Sequence, residues 1–309
     1  MDWLFIGPTT LAGIGQVTKR YSKLVPNGEY VEFGQRPQKE RYAVGFAFVL
    51  PIENQLLVVD QYAKFCSKMI YMTICETETV NPAYRMLVDR YHTLYVASEF
   101  CKKVFEKQFP DGEWRVLRLH ATPPPSPRHN LETKPYIFYT IGNVADPRKN
   151  VGALIRALGN FPDARLLIKA TCNQPVTVNH PQVMIINGLI SDEQMENVHA
   201  KGHCYVNCSH SEGVGMGAVE AALRSKPVII TDYGGLKEYV KTPFTVPCTL
   251  GPIGFDDFLF TKDLVWGHPS YEELVRHMAA CYEQRIMTWD HSHTLGVVTA
   301  VPEALLSIQ

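Results

Sequence analysis

No two cysteines in this chain are spaced Cys-x-x-Cys; the eight stand scattered at positions 66, 75, 101, 172, 204, 208, 248 and 281, several of them in apolar surroundings. That pattern argues against a zinc site or a disulfide frame and for reduced, buried thiols. Excess charge is missing too. Thirty Lys and Arg against 31 Asp and Glu leave a net charge of −1, so no global field draws nucleic acid and any phosphate recognition has to be local. Long hydrophobic runs are absent: nothing approaches the roughly 20 apolar residues of a membrane span. The opening Met1-Asp-Trp-Leu-Phe-Ile-Gly-Pro has an acid at position 2 and too short an apolar run for a signal peptide. The expectation is a cytoplasmic protein without a transmembrane segment, with peripheral membrane contact left open. His291 and His293 have no accompanying ligand set, so they read as solvated and no metal site is expected.

What is present is a globular composition, 46% hydrophobic over 309 residues, enough for two ordinary cores. The stretch from His120 to Pro135 is rich in proline, which cannot donate to a sheet and favours an extended, stiff path. It divides the chain into an N-terminal domain at 1–122, a linker at 123–135 and a C-terminal domain at 136–285, with a tail at 286–309. In the first part, strand patterns at Trp3–Ile6, Leu56–Val59, Met69–Ile74, Thr93–Ala97 and Arg115–Leu119 alternate with helical patterns at Gln16–Leu24, Pro82–Tyr91 and Glu99–Phe109. In the second, strands at Tyr136–Ile141, Arg165–Lys169, Val183–Ile186, Tyr205–Cys208 and Val228–Thr231 alternate with helices at Val151–Leu158, Asp192–Ala200 and Ala218–Arg224; a helix at Tyr271–Arg285 precedes weakly patterned sequence. Such alternation predicts an α/β fold of parallel sheets covered by helices on both faces. Ser191 with Gln194 three residues on is a capping-box pattern for the helix at Asp192.

Chemistry concentrates in Asn207-Cys-Ser-His-Ser-Glu-Gly-Val-Gly-Met-Gly-Ala-Val-Glu220, where a glycine-rich strand-to-helix turn lies between two carboxylates. Glycines let a ligand approach the main chain, and a helix start offers unpaired N–H donors and a partial positive charge to an anion such as a diphosphate. Glu212 and Glu220 are poor phosphate ligands but good acceptors for sugar and ribose hydroxyls. The layout fits a nucleotide sugar, with Gly213, Val214, Gly215 and Met216 along its path. A second cluster, Arg148 and Lys149, puts two cations at a helix start, where they oppose the dipole unless an anion binds there.

The order Glu212, seven residues, Glu220, then a strand and Gly234-Gly-Leu-Lys-Glu238 resembles the signature of GT-B fold glycosyltransferases, specifically the large retaining family GT4, or glycosyltransferase group 1. The resemblance implies two Rossmann-like domains with parallel sheets facing across a cleft. It also implies transfer of a hexose or pentose from a nucleotide-diphosphate donor, UDP- or GDP-sugar, to a hydroxyl of a glycan, lipid or small acceptor, with retention, without metal and without a cofactor. Glu212 would hold donor-sugar hydroxyls, Glu220 the ribose and Lys149 the diphosphate. Asn143 stands where the family usually has an Arg, with Arg148 as its candidate substitute. Gly13 and Gly15 match the family's N-terminal glycine loop. Glu76, after another strand, stands where relatives put a histidine or acid facing the reacting sugar, whereas Glu78 suits a cap for the helix after Pro82. The tail would pack back on the first domain. The rival readings are a GT-B nucleotide-sugar 2-epimerase and an inactive nucleotide- or glycan-binding module.

Overall fold

The structure is a computed structural model that describes residues 1–9, 13–132, 134–172 and 174–308. The chain forms two compact units, one comprising Met1–Ala121, Ile253–Leu264 and Val297–Gln309 and the other Thr122–Pro252 and Val265–Gly296.

The first unit contains β1 (Trp3–Gly7), α1 (Gly13–Ser22), β2 (Gly28–Glu32), β3 (Tyr42–Phe48), α2 (Glu53–Ala63), β4 (Cys66–Thr73), α3 (Arg85–Arg90), β5 (Thr93–Val96), α4 (Glu99–Gln108) and β6 (Glu113–Val116). Its strands pair in parallel in the order β2-β1-β3-β4-β5-β6. The chain runs outward from β1 to β2, then returns past β1 to β3, so connections diverge at the C-terminal ends of β1 and β3. In an open α/β sheet that divergence leaves a crevice suited to ligands. Gly13 and Gly15 follow β1, at the start of α1. Thr10, Leu11 and Ala12 fall outside the described residues, but Gly15 is explained: a Cβ there would sit 2.3 Å from Thr9 O and 2.6 Å from Pro8 O, both rigid backbone atoms.

The second unit contains β7 (Tyr136–Gly142), α5 (Val151–Ala157), β8 (Ala164–Ala170), β9 (Val183–Ile186), α6 (Asp192–Lys201), β10 (Cys204–Asn207), α7 (Met216–Ala222), β11 (Val228–Thr231), α8 (Leu236–Tyr239), β12 (Thr245–Val246), β13 (Cys248–Pro252), β14 (Val265–Pro269) and α9 (Tyr271–Glu283). The parallel order β12-β11-β10-β7-β8-β9 places its divergence between β7 and β10. β13 and β14 pair separately as an antiparallel hairpin, and the residues between them, 253–264, belong to the first unit. Two further helices, α10 (Ser292–Thr299) and α11 (Val301–Leu306), close the chain. No helix among the described residues is long and apolar enough to cross a membrane.

Several sequence expectations need correction. Leu56–Val59 is not a strand but the middle of α2, whose buried residues Leu56, Val59 and Tyr62 recur every three positions. The β-branched pair Val58-Val59 imitated a strand, yet β3 and β4 are parallel neighbours and need a helical crossover between them. β2 and β3 went unread. Gly45 lowers the strand propensity of β3, but tertiary packing demands it: a Cβ there would meet Met69 Sδ at 2.2 Å and Cys66 Sγ at 2.6 Å. The turn at Pro82–Tyr84 is capped by Asn81, which accepts from Ala83 N at 2.9 Å, rather than by Glu78. His291 is buried against the Lys226 carbonyl, 2.8 Å from Nε2, and His293 Nε2 lies 3.0 Å from Glu238 O, so neither is a purely solvated tail residue. The capping box at Ser191 and Gln194 is present with both of its hydrogen bonds.

Gly45→Ala should lower stability by about 1–3 kcal/mol, the scale of overpacking a close approach. Urea unfolding checks this, and an unchanged midpoint would mean that Met69 moves aside without cost.

Candidate functional site

The divergence between β7 and β10 brings two loops side by side, residues 143–150 after β7 and 208–215 after β10, because neighbouring parallel strands deliver their following loops to the same sheet edge. The first loop begins a tight turn at Asp146, whose Oδ1 accepts from Arg148 N at 2.9 Å, followed by Pro147 with φ already suited to a helix start. It ends on Asn150, left-handed at φ 51°, a conformation that Asn tolerates better than most residues. Asn150 Nδ2 donates to Cys208 O at 3.2 Å and His210 N to Arg148 O at 2.8 Å, stitching the loops together.

The stitched loops aim two cations at one carboxylate. Glu212 is only 6% exposed. Its Oε1 accepts from Lys149 Nζ at 2.5 Å, Ser209 Oγ at 2.8 Å and Asn207 Nδ2 at 3.2 Å, and its Oε2 from Arg148 Nη1 at 3.2 Å. Arg148 also donates to Ser211 O at 2.8 Å and pairs with Asp146 at 3.3 Å. Burial would raise the Glu212 pKa, but the charges of Lys149 and Arg148, with hydrogen bonds from Lys149 and Ser209, outweigh it and hold the carboxyl down to about 2 against an ordinary 4.5. Glu212 is therefore an ionised, fully engaged carboxylate in this state.

Both glycine turns exist to fit around it. Gly235 N donates to Glu212 O at 2.9 Å, and a Cβ on left-handed Gly234 would lie 2.6 Å from that same oxygen. Gly215, left-handed at φ 71°, caps α7, and a side chain there would press on Leu236 at 3.1 Å. Gly217 lies under Tyr205, whose hydroxyl a Cβ would meet at 2.3 Å and which donates to Ile141 O at 3.2 Å. The Gly-Gly-x-x-Glu segment is thus the backbone buttress of Glu212. Gly213 and Val214 are buried beside it, and Met216 is half-buried at the start of α7.

The remaining sequence-predicted residues are less closely joined. Glu220 is half-buried on α7 with its carboxylate 4.0 Å from His199 Nε2. Burial, reinforced by Arg224 and Lys226, keeps that histidine well below its usual range and so neutral. Asn143 is exposed; its carbonyl accepts from Asp146 N and starts the turn that presents Arg148. Gly13, Gly15 and Glu76 lie in the first unit. Gly13 is exposed at the start of α1, and Glu76 is half-buried just beyond β4, where burial first, and its charge among smaller causes, raise the pKa values of Cys75 and Tyr84. Sequence reasoning gave no role to Asp146, Asn207, Ser209 or Ser211. The Asp-Pro start of a turn and a serine three residues before Glu212 were the available signals. Among the described residues, no group of three or more His, Cys, Asp or Glu is placed to hold a metal ion.

Residues 125–245 match the family described as glycosyl transferases group 1. No curated protein sequence matches the chain. Among solved structures, the chain is similar to the sucrose-phosphate synthase of Thermosynechococcus elongatus, with a TM-score of 0.61 at 14% identity, covering 86% of this chain and 73% of that one. It is similar also to the apo form of the lipopolysaccharide outer core galactosyltransferase WaaB, with a TM-score of 0.59 at 12% identity over 100% of both chains. A third, the pneumococcal O-GlcNAc transferase GtfA in complex with UDP and GlcNAc, gives a TM-score of 0.57 at 14% identity and 85% coverage of this chain. The chain spans 56% of the length of that protein, and 56% of the matched chain of a GtfA/B complex. The two parallel six-stranded sheets with their helices are the GT-B fold.

The Glu212 pKa sets a pH signature. Because it is lowered in the folded state, its contribution to stability is present above pH 4.5 and lost as the pH falls through about 2. A shift of that size is worth on the order of 3 kcal/mol. The stability gap between the wild type and Glu212→Gln should therefore narrow as denaturant titrations step down from pH 7 toward pH 3; a gap that stays constant would refute the assignment.

Proposed function

We propose, from a second unit that matches glycosyl transferases group 1 inside a GT-B fold, that this chain transfers a sugar from a nucleotide-diphosphate donor to a hydroxyl of a glycan, lipid or small acceptor. One observation carries the reading: Glu212 meets Lys149 and Arg148 between two glycine turns at the divergence of β7 and β10. In such a site departure of the nucleotide builds negative charge on the diphosphate and positive charge on the sugar ring. Lys149 and the backbone of the glycine turn would stabilise the first, and Glu212 would orient the sugar through its hydroxyls. Glu220, a turn into α7, is the acceptor assigned to the ribose. Within the first unit, the family resemblance nominates Glu76, Gly13 and Gly15.

The resemblance to GT4 further supports retention of configuration without metal. In that chemistry the leaving phosphate takes the acceptor's proton, which is consistent with a second unit whose buried carboxylate is already ionised and paired rather than poised as a base. UDP in the pneumococcal relative supports a UDP-sugar as the first donor to try, with GDP-sugars next. The reading carries with it a cytoplasmic enzyme that meets glycan or lipid acceptors from solution or at a membrane surface.

A thermal-shift screen of UDP-, GDP-, TDP- and ADP-sugars tests donor binding. A donor at ~100 times its dissociation constant should add roughly 2.7 kcal/mol of stability, and silence from every nucleotide would sink the proposal. With the donor identified, Glu212→Ala and Lys149→Ala should each lose on the order of a hundredfold in kcat, measured as nucleotide release. Wild-type turnover in either variant would remove that residue from the mechanism. A 2-epimer formed without acceptor, or binding without turnover, would transfer the assignment to the epimerase or the inactive module.

A further inference from the structure

The two cations beside Glu212 are not equivalent. Arg148 is held from three sides, by Asp146, by Ser211 O and by Glu212 Oε2, and its side chain is 11% exposed. Lys149 Nζ has one acceptor among the described residues, Glu212 Oε1, and its side chain is 18% exposed, its stem running over Gly142, where an added Cβ would touch Cε at 3.5 Å. The acceptor side is just as asymmetric. Oε1 carries three donors, and if Lys149 left it would keep Ser209 Oγ and Asn207 Nδ2, while Oε2 would keep Arg148. An ionised carboxylate with a permanent counter-charge and two remaining donors stays in place.

The charges of the site make the asymmetry matter. Asp146, Arg148, Glu212 and Lys149 sum to zero, so a diphosphate arriving here finds no unspent cation among these four unless one is released. Without Arg148, Asp146 loses its ion-pair partner and Glu212 Oε2 its donor; without Lys149, Glu212 still keeps Arg148, Ser209 and Asn207.

We propose that Lys149 is an exchangeable cation and Arg148 a fixed one: on donor binding Lys149 Nζ swings from Glu212 to the diphosphate, freeing a lone pair of Oε1 for a sugar hydroxyl, while Arg148, Ser209 and Asn207 act as positioning residues that keep the carboxylate in place. This rests on the reading of the site as a nucleotide-sugar pocket. It makes phosphate binding and sugar-hydroxyl binding parts of one exchange, so that a nucleotide without its sugar already opens the acceptor on Glu212.

The test uses the full chain with UDP and GDP as probes. A structure of the wild type with whichever nucleotide binds should show Lys149 Nζ about 2.8 Å from a phosphate oxygen and parted from Glu212, with the contacts of Arg148, Ser209 and Asn207 to Glu212 unchanged. In calorimetric titration Lys149→Met should bind that nucleotide about tenfold more weakly or worse, yet melt within about 3 °C of the wild type. Arg148→Gln should melt about 5 °C or more lower. Ser209→Ala should also weaken nucleotide binding, because the Ser209 hydroxyl donates to Glu212, and Ser209→Thr should restore it. Lys149 still on Glu212 in the complex, or wild-type nucleotide affinity in Lys149→Met, would overturn the exchange while leaving the functional reading standing. Failure of the wild type to bind either nucleotide would overturn both.

Discussion

A carboxylate removed from water costs several kcal/mol unless its charge is met and its lone pairs are filled, and Glu212 is such a group, buried at the edge of a parallel sheet. The surroundings follow from meeting that demand. Lys149 and Arg148 come from one loop, Asn207 and Ser209 from the end of β10 and the turn beyond it, and the Gly234-Gly235 turn closes on the Glu212 backbone. The glycines recur because the main chain passes so close to this residue that a Cβ at 234 would sit 2.6 Å from its carbonyl oxygen. A short sequence motif is here the footprint of one desolvated charge.

Sheet topology explains why residues more than 60 positions apart, such as Lys149 and Glu212, can meet at all. β7 and β10 are neighbours only because the chain first goes outward through β8 and β9 and then crosses back. Their following loops therefore emerge side by side, one contributing cations and the other the acid. The first unit repeats the device with β1 and β3. A low-identity likeness to solved structures that spans most of this chain is what such a shared scaffold produces: the fold persists while the sequence diverges.

Much was legible locally. Strands at 183–186 and 228–231, the capping box at Ser191 and the alternation of strands and helices depend on period, β-branching and caps, which sequence displays directly. The failures were also physical. Val58 and Val59 have strand propensity but lie in a crossover helix; Gly45 weakens a strand on paper yet faces Met69 and Cys66 across the sheet; His291 follows an unpatterned stretch yet is buried against the Lys226 carbonyl. In each case a partner distant in sequence overrode the local signal.

By itself the sequence determined the α/β class, the two-part division of strand and helix patterns, and the residue types that a nucleotide-sugar site would use, because periodicity, glycine turns and motif spacing are local properties. Tertiary structure alone decided that Arg148 and Lys149 point at Glu212, that Asn207 and Ser209 complete its shell, and that the residues between β13 and β14 belong to the first unit. Pairing energies between distant groups depend on separation and on burial, and neither is written in the order of residues along a chain.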